Sequence, residues 1–249
     1  MSDRAADTSD RYRFGFGKVA EHYERARPHY VAAAVDWAVA HLGLGAGARV
    51  LDLAAGTGRL TGALAARGFD VVAVEPDDGM RAVLAREHLG VETLSGRAEA
   101  IPLPDGSVDA VTVGQGFHWF DTQRALAEMH RVLRPGGGFA LLWNQFNRDD
   151  PLLGPVDELL RVRRPPESRR PMWRDRYDER LFGPLEERSF DERRPMSVDE
   201  VAAWVASASP VFTASPEEQA EVEREVRRLA EGHGGTVTFR TAVVVPVRV

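Results

Sequence analysis

The chain predicts an α/β fold built on a doubly wound, parallel sheet of seven strands. Three observations carry this. Short apolar or β-branched runs alternate with segments of helical periodicity from residue 31 to residue 143. The connections between them are short and punctuated by Gly, Pro and Asp. The first apolar run, V-L-D-L, passes through the small-residue loop A-A-G-T-G at 54–58 directly into a helical pattern.

In chain order, residues 31–40 predict a helix ahead of a first strand at 49–53. A helix at 60–66 leads to a strand at 71–74, and a helix at 78–87 to a short strand at 91–94. Residues 108–113 predict a fourth strand, rich in β-branched side chains. Residues 122–133 predict a helix, stopped by Pro135 and the three glycines that follow, and 139–143 a fifth strand. From 151 to 183 the pattern changes to many arginines and prolines with few apolar stripes, which predicts a helical or irregular cap inserted after the fifth strand. The sixth strand falls within 182–194, helices at 198–208 and 216–231, and the seventh strand at 236–249. Pro246 argues that this last strand is an edge strand or ends there. Residues 1–10 are polar and predict a disordered tail, with 11–249 as a single domain.

The formal net charge of −6 makes no electrostatic case for nucleic acid or an anionic membrane as partner. No run of eighteen apolar residues is present and the first ten residues lack a signal-peptide core, so the expected location is cytoplasmic. The absence of cysteine excludes disulfides, zinc–thiolate sites and a cysteine nucleophile, and no metal is expected. Oligomeric state is not legible.

The loop at 54–58 is a nucleotide-type binding edge, because glycine tolerates positive φ and lets the backbone approach a ligand. A dinucleotide fingerprint would place its third glycine at 61, where Thr61 stands. Asp52, inside the strand end, discriminates further. Its carboxylate can accept from the N–H groups of the glycine loop, yet it repels a pyrophosphate and suits a ligand that is cationic there. S-adenosyl-L-methionine, with an ammonium and a sulfonium, fits better than NAD. Glu75, ending the second strand about twenty residues on, is placed to hold two ribose hydroxyls, a feature shared with NAD enzymes.

Residues 50–58 resemble motif I of class I SAM-dependent methyltransferases, and 71–76 their second motif. The stretch G-R-A-E-A-I-P-L-P-D-G-S-V-D at 96–109 resembles the segment that reaches adenine, and R-V-L-R-P-G-G-G at 131–138 the turn before the fifth strand. The ordered set covers roughly residues 15 to 148. More narrowly, G-F-H-W-F-D at 116–121 and Y-E-R-A-R-P at 23–28 resemble the small-molecule branch that includes trans-aconitate methyltransferase-like enzymes. The resemblance implies a Rossmann-like fold and methyl transfer from SAM, leaving S-adenosyl-L-homocysteine. It implies cofactor contacts from Ala54, Gly56, Thr57 and Gly58, from Pro76 after Glu75, from Met80 on the adenine face, and from Ala98 and Glu99 at the base edge. It also implies contacts from Gln115, Gly116 and Phe117. Tyr23 and an arginine would meet the methionyl carboxylate. Arg27, held extended by Pro28, is preferred to Arg25.

His118 follows the fourth strand, where the transferred methyl group should lie, and imidazole can accept a proton near neutral pH. The competing reading is that it shapes the loop. Trp119 and Trp143 are candidates to line a substrate pocket. The arginines from 161 to 180 either bind a carboxylate-bearing acceptor or form ion pairs with the interleaved acids, and the second reading is favoured. The expected function is methyl transfer to O, N or C of a small molecule. The alternatives are another reaction of the sulfonium and an NAD-type oxidoreductase.

Overall fold

The computed structural model describes residues 27–163 and 173–246. The expected tail, Tyr23 and Arg25 lie outside the described residues, as do 164–172 of the expected cap and the last three residues. Seven strands form one sheet: β1 (Arg49–Leu53), β2 (Asp70–Val74), β3 (Glu92–Leu94), β4 (Val108–Gly114), β5 (Leu133–Gln145), β6 (Leu185–Pro195) and β7 (Thr236–Pro246). Their order is β3-β2-β1-β4-β5-β7-β6. The pairs among β1 to β5 are parallel. With β7 and β6 the sheet is mixed, so the all-parallel expectation holds only for the first five strands.

The described helices are α1 (Ala32–His41), α2 (Arg59–Ala65), α3 (Asp78–Glu87), α4 (Thr122–Val132), α5 (Leu153–Arg163), α6 (Glu179–Phe182), α7 (Val198–Ala206), α8 (Ser209–Phe212) and α9 (Pro216–Ala230). None is long and apolar enough to cross a membrane. Asp77 caps α3 by accepting from Met80 N at 2.9 Å, and Asp121 caps α4. Ser197 with Glu200, and Ser215 with Glu218, form capping boxes on α7 and α9.

The chain divides into two compact units. One comprises 29–143, 173–190 and 241–246 among the described residues; the other comprises 27–28, 144–163 and 191–240. The expected cap is therefore shared between them, with α5 in the second unit and the segment from Trp173 in the first. In the first unit Leu51, Leu53, Val72, Val74, Val111 and Val113 pack with Leu126 and Met129 of α4 in a continuous core. In the second unit α9 packs on α7. There Asp150 accepts from Leu152 N, Leu153 N and, at 2.6 Å, Thr238 N.

Two elements differ from expectation. Leu133 already pairs with Val108, while Gly138 pairs with Ala110, so five steps along β5 match two along β4. Gly136 has φ 80°, and a Cβ on Gly137 would come within 2.8 Å of the Asp109 carbonyl. The Pro-Gly-Gly-Gly run is a bulge inside a long strand rather than a turn before a short one. Pro246 ends β7, which lies between β5 and β6; the strand-end reading holds and the edge reading does not.

Candidate functional site

The sheet order reverses between β1 and β4, the point where open α/β sheets bind ligands beyond the strand carboxyl ends. Register places the expected residues there. Leu53 pairs with Val74, Asp52 with Thr112, and Gly114 with Leu142. One step further, Ala54 and Glu75 adjoin on one side of the crevice, and Gln115 and Trp143 on the other.

Ala54 (φ 56°) and Gln115 (φ 63°) are the non-glycine residues with positive φ among the described residues. Such residues carry strain and concentrate at ligand sites. The two loops also meet closely: a Cβ on Gly116 would lie 3.0 Å from the Ala54 methyl carbon. Gly56 (φ 60°) and Gly58 (φ 95°) turn the chain into α2. A Cβ on Gly58 would overlap the His88 ring and come within 3.0 Å of Leu84, so the positive φ favours glycine and a larger residue would have to displace the His88 ring.

Asp52 is fully buried. Its Oδ2 accepts from Thr61 Oγ1 at 2.6 Å, while Oδ1 has no hydrogen-bond partner among the described residues. Burial pushes this carboxyl up to about 7; hydrogen bonds from Thr61 oppose the shift, and the charge of Glu75 adds to it. The expectation that Asp52 braces the glycine loop is corrected, because Glu75 does so. Glu75 Oε2 accepts from Gly56 N and Oε1 from Asp77 N, each at 2.9 Å. Desolvation raises the Glu75 carboxyl, partly offset by those two bonds. Each oxygen of an ionised carboxylate has a second lone pair for a ligand hydroxyl.

The other expected residues are placed as follows. Thr57 and Met80 are buried, and Pro76 joins Glu75 to the α3 cap. Ala98 is buried, and Glu99 Oε1 accepts from Asp121 N at 2.9 Å, tying the 97–100 turn to the start of α4. Phe117 is buried, edge-on to Phe120 and Trp173 at 5.4 and 5.3 Å. Its side chain belongs to the core, and its backbone to the loop. His118 is exposed, its ring centroid 4.8 Å from that of Trp119. Trp143 stacks on Trp173 at 6.0 Å. In the other unit, Arg27 donates to the Ser207 carbonyl at 3.1 Å and to its hydroxyl at 3.3 Å. Arg161 and Arg163 pair with Glu158 and Glu221, and in the first unit Arg174 and Arg180 pair with Glu187 and Asp178.

Two residues at the crevice were not anticipated. Trp173 is one; its signal is lost in the arginine-rich insertion. Tyr30 is the other, its hydroxyl lying against Gly114. A glycine closing an otherwise β-branched strand was its only trace in the sequence.

A glycine loop, a strand-end acid on each of two parallel strands and strained residues at the switch point define a nucleotide-type α/β binding domain. Residues 51–141 match the methyltransferase domain family. A methyltransferase-like protein of Schizosaccharomyces pombe, itself uncharacterized, is 34% identical over 214 residues, covering 84% of this chain and 83% of its own. The chain belongs to this methyltransferase family, which implies SAM as the methyl donor. An uncharacterized methyltransferase of Mycobacterium tuberculosis is 51% identical over 144 residues, 58% of this chain; the match spans 56% of that relative's length. A solved structure, a candidate type II methyltransferase from Anaeromyxobacter dehalogenans, superposes with a TM-score of 0.66 at 26% identity, over 89% of this chain and 97% of its own. The fold is thus Rossmann-like, as in that structure.

Proposed function

We propose that the protein transfers the methyl group of SAM to an O, N or C atom of a small-molecule acceptor. The single observation that carries this is the buried, half-satisfied Asp52 carboxylate beside the glycine loop. A buried oxygen with no partner among the described residues calls for a donor, and a cationic one suits a carboxylate best. The residues present fit SAM: Asp52 for its ammonium, Gly56 to Gly58 for close backbone approach, Glu75 for the ribose hydroxyls, and Met80, Ala98 and Glu99 about the base.

When bound, SAM supplies an electrophilic methyl group on a sulfonium. The protein's part is to hold the acceptor in line and exclude water, which can contribute about 7–11 kcal/mol in favourable cases. Trp119 and Trp143 supply apolar surface next to the β4 and β5 ends. His118 is an exposed imidazole on this edge, suited to take a proton from a neutral acceptor. An already anionic acceptor needs no base.

The experiment is mass spectrometry of reactions with SAM and panels of acids, phenols and amines, looking for a mass gain of one methyl group. With an acceptor found, His118→Ala is expected to lower turnover by about 10²–10⁴-fold while SAM affinity is retained. Turnover within a few-fold of wild type removes the base role and leaves positioning as the mechanism. SAM consumption with no methylated product favours a different reaction of the sulfonium.

A further inference from the structure

The sheet ends on two unlike strands. At one edge β3 has three residues. At the other β6 has eleven, L-E-E-R-S-F-D-E-R-R-P, and none of them is buried. Among the described residues no strand lies beyond it. A long edge strand offers unpaired N–H and C=O groups to any strand that comes beside it, and charged side chains commonly discourage such pairing. The charges of β6 are arranged to do the opposite.

Two copies of one edge strand pair antiparallel about a two-fold axis perpendicular to the sheet. Side chains alternate between the faces, so the axis must set some residue directly against its own copy. With Phe190 in that place, Glu186 faces Arg194 of the second copy, Glu187 faces Arg193 and Arg188 faces Glu192, each pair formed twice by symmetry. Moving the axis by one residue destroys the match. On Ser189 it sets Glu186 against Glu192 and Glu187 against Asp191; on Asp191 it sets Arg188 against Arg194. Opposite charges directly across a strand pair stabilise it and like charges destabilise it, so the sequence selects one register over its neighbours.

Phe190 suits the central place. It is half-buried among exposed neighbours, with its ring 5.9 Å from that of Trp37 on α1 and the Arg188 guanidinium 5.3 Å from its centroid. Set against its own copy it makes an aromatic cross-strand pair flanked by ion pairs. Glu187 also pairs with Arg174 within the chain, which leaves lone pairs for a second cation.

We propose that the outer edge of β6 is a homodimer interface, at which two copies of the chain pair antiparallel about Phe190 and join their sheets. The proposal does not depend on the SAM reading above.

The test uses the full chain, which has no cysteine, so an introduced one is unique. Phe190→Cys is expected to form an intermolecular disulfide under mild oxidation, because directly opposed antiparallel residues lie about 4.5–5.5 Å apart at Cα, within the span of a disulfide. Ser189→Cys is expected not to, since its copy stands diagonally, about 7–8 Å away. Equal cross-linking at both positions, or at neither, overturns the proposal. Sedimentation equilibrium supplies the second measurement, on variants shown by thermal melts to be folded. Wild type is expected to be a monomer–dimer equilibrium. Arg193→Glu places like charges across both symmetry-related contacts and should weaken the dimer about tenfold. Adding Glu187→Arg should restore it to within a few-fold of wild type, which loss of a merely structural contact would not allow. Wild type that is monomeric at every concentration, a dimer that Arg193→Glu leaves intact, or a loss that the double reversal does not rescue overturns the proposal.

Discussion

Two glycine-rich regions lie at opposite ends of the parallel strands, and they differ in what their acids lack. At the amino edge an open hollow of about 380 Å³ is lined by Leu42 to Ala48, Asp109 and Arg134 to Gly137. Its acid is fully engaged. Asp109 Oδ2 accepts from Arg49 N at 2.8 Å and Oδ1 from Arg134 at 2.6 Å. Partial burial alone would raise its carboxyl, but these bonds prevail and hold it below the usual range. At the carboxyl edge, Asp52 has an oxygen with no partner among the described residues and a carboxyl raised to about 7. Glycines and a hollow mark a place where the chain turns. Buried polarity left unmet marks a place where a ligand completes the structure.

The largest expected contrast is steric. Gly58 and Gly136 both have positive φ, at 95° and 80°. A Cβ on Gly136 meets open space, whereas one on Gly58 meets His88 and Leu84. Gly136→Ala should cost about 1–2 kcal/mol from the left-handed backbone alone. Gly58→Ala should cost about 1–3 kcal/mol more, as overpacking does, and should abolish measurable SAM binding. Denaturant melts of both variants check this; equal costs would break the contrast.

The acids come next. Asp52→Asn should weaken SAM binding by about 1.5–3 kcal/mol, the worth of a charge-assisted hydrogen bond, while keeping or raising the melting temperature. Asp109→Asn should do the reverse, lowering the melting temperature and leaving affinity unchanged. Glu75→Ala should weaken binding by a similar 1.5–3 kcal/mol, and should also loosen the loop, because Gly56 N loses its acceptor. Calorimetry and thermal melts on the three variants separate the roles. Unchanged affinity for Glu75→Ala removes the ribose assignment.

The last contrast is with pH, and it is the smallest per step: at most about 1.4 kcal/mol for each pH unit. The Asp52 carboxyl is raised in the fold from 3.8 to about 7. Between those values the folded protein keeps a proton that the unfolded chain releases, so stability falls as pH rises through that window and levels above about 7. Wild type should therefore lose stability relative to Asp52→Asn across this range. An ammonium needs the ionised carboxylate, so SAM affinity should rise up to tenfold per pH unit toward 7 and then level. A flat affinity profile would contradict the pairing.

Much of this was legible in the sequence where local chemistry sets the answer. The bounds of β1 and α3 follow from an apolar run closed by small residues and from the Asp77 cap. Asp52 and Glu75 follow from their places at strand ends. What was not legible depends on long-range neighbours. Which acid braces the glycine loop is decided by the register of β1 against β2. The Pro-Gly-Gly-Gly run reads locally as a turn, and only its pairing with β4 makes it a bulge. Gly114 has ordinary backbone angles, so nothing local distinguishes it from a weak strand position, and Tyr30 stayed hidden with it. Trp173 stacks on Trp143 from thirty residues away, across a stretch with no apolar periodicity.

The most direct test of the comparison is the structure of the protein with S-adenosyl-L-homocysteine bound. The account predicts the ligand's amino group within hydrogen-bond distance of Asp52 Oδ1, and its ribose hydroxyls on Glu75. Ligand found in the hollow at the amino edge, or a bound ligand that leaves Asp52 Oδ1 without a donor, would contradict it.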